Sequence, residues 1–261
     1  MSCAVVVPVY QEYMSKSELY SFWRTIQILD GQNIFVLCPN FLYGKLGRLK
    51  KNNVEFIYIS NRYFASISTY NRLLMSSFFY QYFINYDYIL IVQLDALVLK
   101  DDLNRWCNTG YSYIGAPWFD GFHMPKKPLK LIGVGNGGFS LRKISDFITV
   151  LRDIRYVPNM TYENSSNMFF RFLKFLKHQV FFSYNRFPFL PHVNEDVFWS
   201  ILVPRRFPFF KIPCCEEAKK FAFEVEPRVL YEMNNDVLPF GCHAWERYDR
   251  DFWVEKLSIR Y

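Results

Sequence analysis

Apolar positions along the chain follow two alternating periods. Residues 3–9 (CAVVVPV) form an unbroken apolar run, the pattern of a strand covered on both faces, and residues 15–30 then place Leu19, Phe22, Ile26 and Leu29 at helical spacing. Further apolar runs at 34–38, 54–59 and 88–94 continue the alternation, with a long helix-like stretch at 67–84 before the last of them. Strands and helices in turn predict a single α/β domain on a mixed, mainly parallel central sheet flanked by helices. From residue 105 onward the pattern turns irregular and rich in Gly, Pro and Trp. Residues 1–104 therefore read as the regular α/β half of the domain and 105–261 as the half that builds loops.

Composition narrows the class. With 261 residues, 51% hydrophobic and 21% charged, the chain is long enough to bury a core and too apolar to be disordered. Aromatic content is 20%, which supplies flat, partly polar faces of the kind that stack on sugars or bases. A net charge of +7 favours anionic partners, but the basic residues fall in small scattered clusters, so nucleic acid is not expected. Six cysteines without a CxxC spacing read as free thiols, and the first residues carry no basic leader, so a cytoplasmic protein is expected. The stretch from Leu73 to Val92 is apolar, yet Gln81, Asn85 and Asp87 interrupt it, which reads as a helix and a buried strand rather than a membrane span. The basic aromatic segment 168–191 reads first as a core helix with solvated Lys174 and Lys177. Exposed, it would make a peripheral contact with the inner face of the plasma membrane. The sequons at Asn159 and Asn164 carry no weight in a cytoplasmic chain.

In open α/β sheets ligands bind beyond the carboxyl ends of strands. Pro8, Val9 and Tyr10 end the first apolar run, and Gln93, Asp95 and Ala96 end the fourth. Asp95 reads as a buried strand-end acid, which needs a cation or donors to meet it. It would anchor a divalent ion, Mn2+ or Mg2+, whose shell is completed by phosphate and water; capping of the next turn is the plain structural alternative. His243 is one of four histidines and reads either as a second metal ligand or as a packed ring. Glu195 and Asp196 open an apolar helix-like run; one caps it, and the other is left to face a cleft as a general base. The run Gly133–Gly138 matches GxGxxG, but it lies mid-chain and is followed by an extended pattern, so a dinucleotide fold is not expected. Gly137 and Gly138 instead read as small residues that let a substrate approach the backbone.

The set QLDALVL, WCNTGYSYIGAPW, VGNGGFSLRK, NEDVFWS and PFGCHAWERYDRDFW, spanning roughly residues 3–253, resembles a bacterial family of GT-A-type glycosyltransferases of polysaccharide and O-antigen assembly, long catalogued as a domain of unknown function. The order of its acid, glycine pair, Glu-Asp-Val and late His is also similar to that of inverting fringe-like β-1,3-glycosyltransferases. The resemblance implies a UDP-sugar donor, with galactose in pyranose or furanose form among the candidates, and a glycan or lipid-linked acceptor in surface polysaccharide synthesis. Carried onto matching positions, it makes 1–104 the nucleotide-sugar-binding half and 105–261 the acceptor-binding and catalytic half. Asp95 and His243 become the metal ligands, Asp196 the base with Glu195 beside it, and Pro8, Val9, Tyr10, Gln93, Ala96, Gly137 and Gly138 the donor-binding residues. Gln93 stands where such relatives carry the first acid of a DxD triplet, which weakens the metal expectation. A retaining transferase of the same fold, and a non-catalytic carbohydrate- or membrane-surface-binding protein, are the alternative readings.

Overall fold

A computed structural model describes residues 1–153 and 194–259. The segment 168–191 and the sequons Asn159 and Asn164 lie outside the described residues. Strands β1 (Cys3–Pro8), β2 (Asn33–Pro39), β3 (Val54–Ile59) and β4 (Tyr88–Val92) coincide with the four apolar runs, and they lie parallel to one another. After β5 (Leu97–Val98), β6 (Tyr113–Ile114), β7 (Pro117–Phe119) and β8 (Leu131–Val134) comes β9 (Phe139–Lys143), which inserts antiparallel between β4 and β6. The main sheet therefore has the order β3-β2-β1-β4-β9-β6, mixed and mainly parallel. It draws its last two strands from beyond residue 105.

Period-two alternation sorts the strand residues into two cores. Val5, Val7, Val36, Leu90 and Val92 pack on one face against Phe22 and Ile26 of α1 (Lys16–Ile28), whose N-terminus is closed by a Ser15–Glu18 capping box. Ala4, Val6, Leu37, Ile89 and Ile91 pack on the other face, beneath α2 (Ile67–Leu74), α3 (Ser77–Gln81), α5 (Ile144–Arg152) and the rings of Phe198, Trp199 and Phe210. The short α4 (Leu103–Cys107) adds Trp106 to the first core. Each fully buried Val, Leu or Ile removes enough apolar surface from water to stabilise the fold by roughly 1.5–3 kcal/mol.

The helix expected over 67–84 is broken. The hydroxyl of Ser76 donates to the Leu73 carbonyl at 2.7 Å and accepts from the Phe79 N–H at 3.3 Å, so one side chain ends α2 and begins α3. Apolar periodicity runs through the break and does not reveal it. No helix among the described residues is long and apolar enough to cross a membrane.

A second, three-stranded sheet positions the site. β10 (Ala222–Phe223) lies parallel to β11 (Gly241–Cys242), which runs antiparallel to β5. It is fastened to α1 by the Arg24 Nε bond to the Val98 carbonyl (2.8 Å) and the Trp245 Nε1 bond to Ser21 Oγ (3.2 Å).

Candidate active site

Three short strands end or begin at one edge of the small sheet, and each carries an ionisable neighbour there. Asp95 lies two residues before β5, His243 follows β11, and Glu224 follows β10. The ladder registers Leu97 with Cys242 and Phe223 with Cys242, which brings the three side chains together from distant parts of the chain. The His243 N–H to Phe223 carbonyl bond (3.0 Å) and the Trp245 N–H to Asp95 carbonyl bond (3.2 Å) extend the same register into the loops.

His243 is the hub. Its Nδ1 donates to Glu224 Oε1 at 2.9 Å, and its Nε2 lies 3.3 Å from both Asp95 Oδ1 and Gln93 Oε1. Burial alone would push the imidazole down, but the carboxylates of Asp95 and Glu224 outweigh it and push it up to about 10. The same contact acts on Asp95. Partial desolvation raises its carboxyl, yet the charge and hydrogen bond of His243, helped by Arg247, hold it below the ordinary value.

The expected buried acid at Asp95 is not buried: its side chain is 51% exposed. The Ala96 N–H closes a turn on the Gln93 carbonyl at 2.9 Å, which carries Asp95 past the end of β4 and out of the sheet. Ala96 itself is fully buried, and its part is to close that turn. Of the first strand end, Pro8 and Val9 are buried, and the Val9 N–H is spent on the Leu37 carbonyl at 2.9 Å. Tyr10 alone is exposed there, and its hydroxyl is pushed up by burial and then by the charges of Glu18 and Asp95.

The donor set at this edge fits a divalent cation. One carboxylate oxygen, one amide oxygen and one imidazole nitrogen converge, and the Nδ1 bond to Glu224 turns Nε2 toward the carboxylate, as metal-binding histidines require. In place of the expected acid, Gln93 contributes its amide oxygen. Among the described residues no three His, Cys, Asp or Glu side chains form a metal group, so a cation held here would take the rest of its shell from substrate and water.

The tandem acids separate. Glu195, expected beside the base, is 3% exposed and pairs through Oε1 with Arg142 Nη2 at 2.8 Å. Desolvation pushes its carboxyl up to about 6 in spite of Arg142. Nor does it cap a helix by its side chain; Asn194 stands at the N-cap of Glu195–Val197, with no side-chain cap bond. Asp196 is only partly buried and accepts from the Val197 N–H at 2.8 Å. Burial raises its carboxyl, the Val197 bond opposes this, and the nearby charge of Glu224 raises it further.

The two groups of residues meet at the glycine pair. A Cβ on Gly137 would lie 2.1 Å from Glu195 Oε1, and a Cβ on Gly138 would lie 2.0 Å from His243 Nε2. The close approach expected of a substrate at Gly137 and Gly138 is made instead by the protein's own side chains. Asn136, at φ 75°, starts this turn and accepts from the Gly138 N–H at 3.0 Å, while the Gly138 carbonyl accepts from the Gln93 N–H at 2.8 Å.

Glu224 and Arg142 had no part in the sequence-based site. Glu224 follows an apolar run, FAF, as Asp95 follows YILIVQL, so the strand-end argument applied to both. Arg142 interrupts an apolar extended run, the mark of a buried cation that needs a partner. Replacing such a pair with apolar groups is often neutral or stabilising, whereas removing one partner costs about 3–5 kcal/mol. Stability alone therefore does not account for it.

No curated protein matches the chain by sequence. Among solved structures, the galactosyltransferase LgtC, in complex with donor and acceptor sugar analogues, covers 98% of this chain over 94% of its own at 14% identity and a TM-score of 0.55. Mouse xyloside xylosyltransferase 1, in its apo form, covers 93% over 97% of its own at 8% identity and a TM-score of 0.50. These likenesses show a glycosyltransferase fold of the GT-A type. A family model described as "Protein of unknown function (DUF5672)" matches residues 53–243, a span that runs from before Gln93 to His243 itself, and the chain belongs to that family.

Proposed function

We propose that the chain is a glycosyltransferase that moves a sugar from a nucleotide-sugar donor to a hydroxyl acceptor, with a divalent cation, Mn2+ or Mg2+, held by Asp95, His243 and Gln93. The observation that carries this reading is the meeting of Asp95 Oδ1 with His243 Nε2 at 3.3 Å at the carboxyl end of β4, with the carboxylate half open to solvent. A glycosyltransferase fold with a cation-gathering cluster at that edge suits a donor diphosphate. Tyr10, exposed at the adjacent end of β1, supplies a ring face for the donor base.

The residues divide the work as follows. Asp95 and Gln93 offer oxygens on one side of the cluster, and Glu224 holds the His243 ring in the orientation that points Nε2 toward them. A bound cation would neutralise the charge that builds on the leaving diphosphate. Asp196, with its carboxyl raised by burial, accepts the acceptor hydroxyl proton as the oxygen bonds to the anomeric carbon and the bond from that carbon to the diphosphate breaks. Attack opposite the leaving group inverts the anomeric centre.

A thermal-shift panel of nucleoside diphosphates and their sugars, with and without Mn2+, tests the reading, because a ligand of the folded state raises the melting temperature. A UDP-sugar is expected to raise it in an ion-dependent way, and product analysis is expected to show the inverted anomer. A panel with no shift under either ion, together with no transfer from any donor, overturns the proposal.

A further inference from the structure

We propose that Arg142 and Glu195 are a positioning pair that sets the place of Asp196. The inference deepens the proposed function and rests on Asp196 being the base. Arg142 lies on β9, registered with Ile89 on one side and Tyr113 on the other, so it projects from the interior of the main sheet. Its guanidinium is held on every side. Nε donates to Ser140 Oγ at 3.0 Å, Nη1 to Tyr80 Oη at 3.2 Å, and Nη2 to Glu195 Oε1 at 2.8 Å and the Gly137 carbonyl at 3.5 Å. The ring centroids of Tyr113 and Phe147 lie 5.5 and 5.9 Å from its central carbon. A planar fork fixed in this way presents one geometry to a carboxylate.

Glu195 inherits that geometry and passes it to the next residue. Its Oε1 occupies the space above Gly137, while Oε2 has no hydrogen-bond partner among the described residues, so within them the carboxylate is fastened at one oxygen. Asp196, one peptide further on, accepts from the adjacent Val197 N–H, a bond within the same turn, and its carboxyl also meets the backbone of Asn136, the residue before Gly137. The segment is also tied by the Asn71 Nδ2 bond to Asn194 Oδ1 at 3.2 Å, which lies at the surface, and by the buried Trp199 Nε1 bond to the Leu74 carbonyl at 3.3 Å. The buried pair is the charged tie that joins the residue next to Asp196 to β9 of the main sheet. Misplacing a reacting group by about 1 Å can cost on the order of 10²-fold in rate.

Two variants disturb the anchor without touching Asp196. Glu195→Gln keeps an oxygen for Arg142 but removes the charge. Gly137→Ala changes no charge and forces the Glu195 carboxylate aside. Each is expected to lower kcat about 10- to 10²-fold, measured with the nucleotide sugar selected by thermal shift, and to leave UDP binding in the presence of Mn2+ within about twofold. Arg142→Lys is expected to retain more turnover than Arg142→Met. Titration of Asp196 followed by carbon NMR of labelled carboxylates is expected to shift in both anchor variants, and this readout needs no donor and works wherever thermal unfolding shows the variant folded. Wild-type kcat and wild-type Asp196 titration in Glu195→Gln and Gly137→Ala would overturn the proposal. So would complete loss of turnover in Glu195→Gln with Asp196 titrating normally, which makes Glu195 the reacting acid. Asp196→Asn is run in parallel: wild-type turnover there removes the base assignment alone, and the NMR readout still decides whether the pair places Asp196.

Discussion

Glu224 Oε1 accepts a hydrogen bond from His243 Nδ1 at 2.9 Å because the two residues leave adjacent parallel strands at the same level. The carboxylate thereby fixes which ring nitrogen faces Asp95. Glu224→Gln keeps an acceptor but loses the charge, and it is expected to weaken Mn2+ binding about 10- to 100-fold in the presence of UDP, measured by calorimetry. Unchanged affinity would show that the ring needs no charged partner.

Protonation of His243 links this cluster to stability. In the folded chain its value is pushed up to about 10, against an ordinary 6.5, so the folded state binds the proton more tightly. The stabilisation is whole below about pH 6.5 and is lost as pH rises through about 10. In EDTA, the melting temperature of the wild type is expected to fall across that window more steeply than that of His243→Gln. Parallel curves would contradict the ion-paired imidazolium.

Asp95 and Asp196 serve different steps, and their variants should separate. Asp95→Asn is expected to weaken UDP and Mn2+ binding in the thermal-shift assay. Asp196→Ala is expected to keep that shift and lose about 10²- to 10⁴-fold in turnover. Comparable turnover in Asp196→Ala would remove its role as base.

Gly138→Ala offers a contrast with substitution of its neighbour. Its Cβ would meet His243 Nε2 at 2.0 Å, so the imidazole must move from Asp95 and Gln93. Loss of Mn2+ binding is expected, whereas Gly137→Ala is expected to keep it. Equal Mn2+ affinity in the two variants would show that the glycine pair does not divide the site.

Much of this was legible in the residues themselves. Four apolar runs predicted β1 to β4 because strands buried on both faces leave a continuous signal. Asp95 stood out as the acid after such a run, and His243 as a rare titratable side chain among aromatics. The break at Ser76 was hidden because it rests on two hydrogen bonds rather than on periodicity. Glu224 is within reach of the strand-end argument that singled out Asp95, but the strand it follows is only two residues long and gives a far weaker signal than YILIVQL. Which of Glu195 and Asp196 turns inward depends on Arg142, 53 residues away from Glu195, and no local rule contains that information.

Every strand of the six-stranded sheet lies before residue 144, while Glu195, Asp196, Glu224 and His243 all come after it. During synthesis the ribosome thus delivers a complete set of scaffold strands before it has made any of these four side chains. The scaffold, with Gln93, Asp95 and Arg142 already on it, is the earliest part of the molecule to be available for folding, and the proposed base and the imidazole with its carboxylate partner are added to it later.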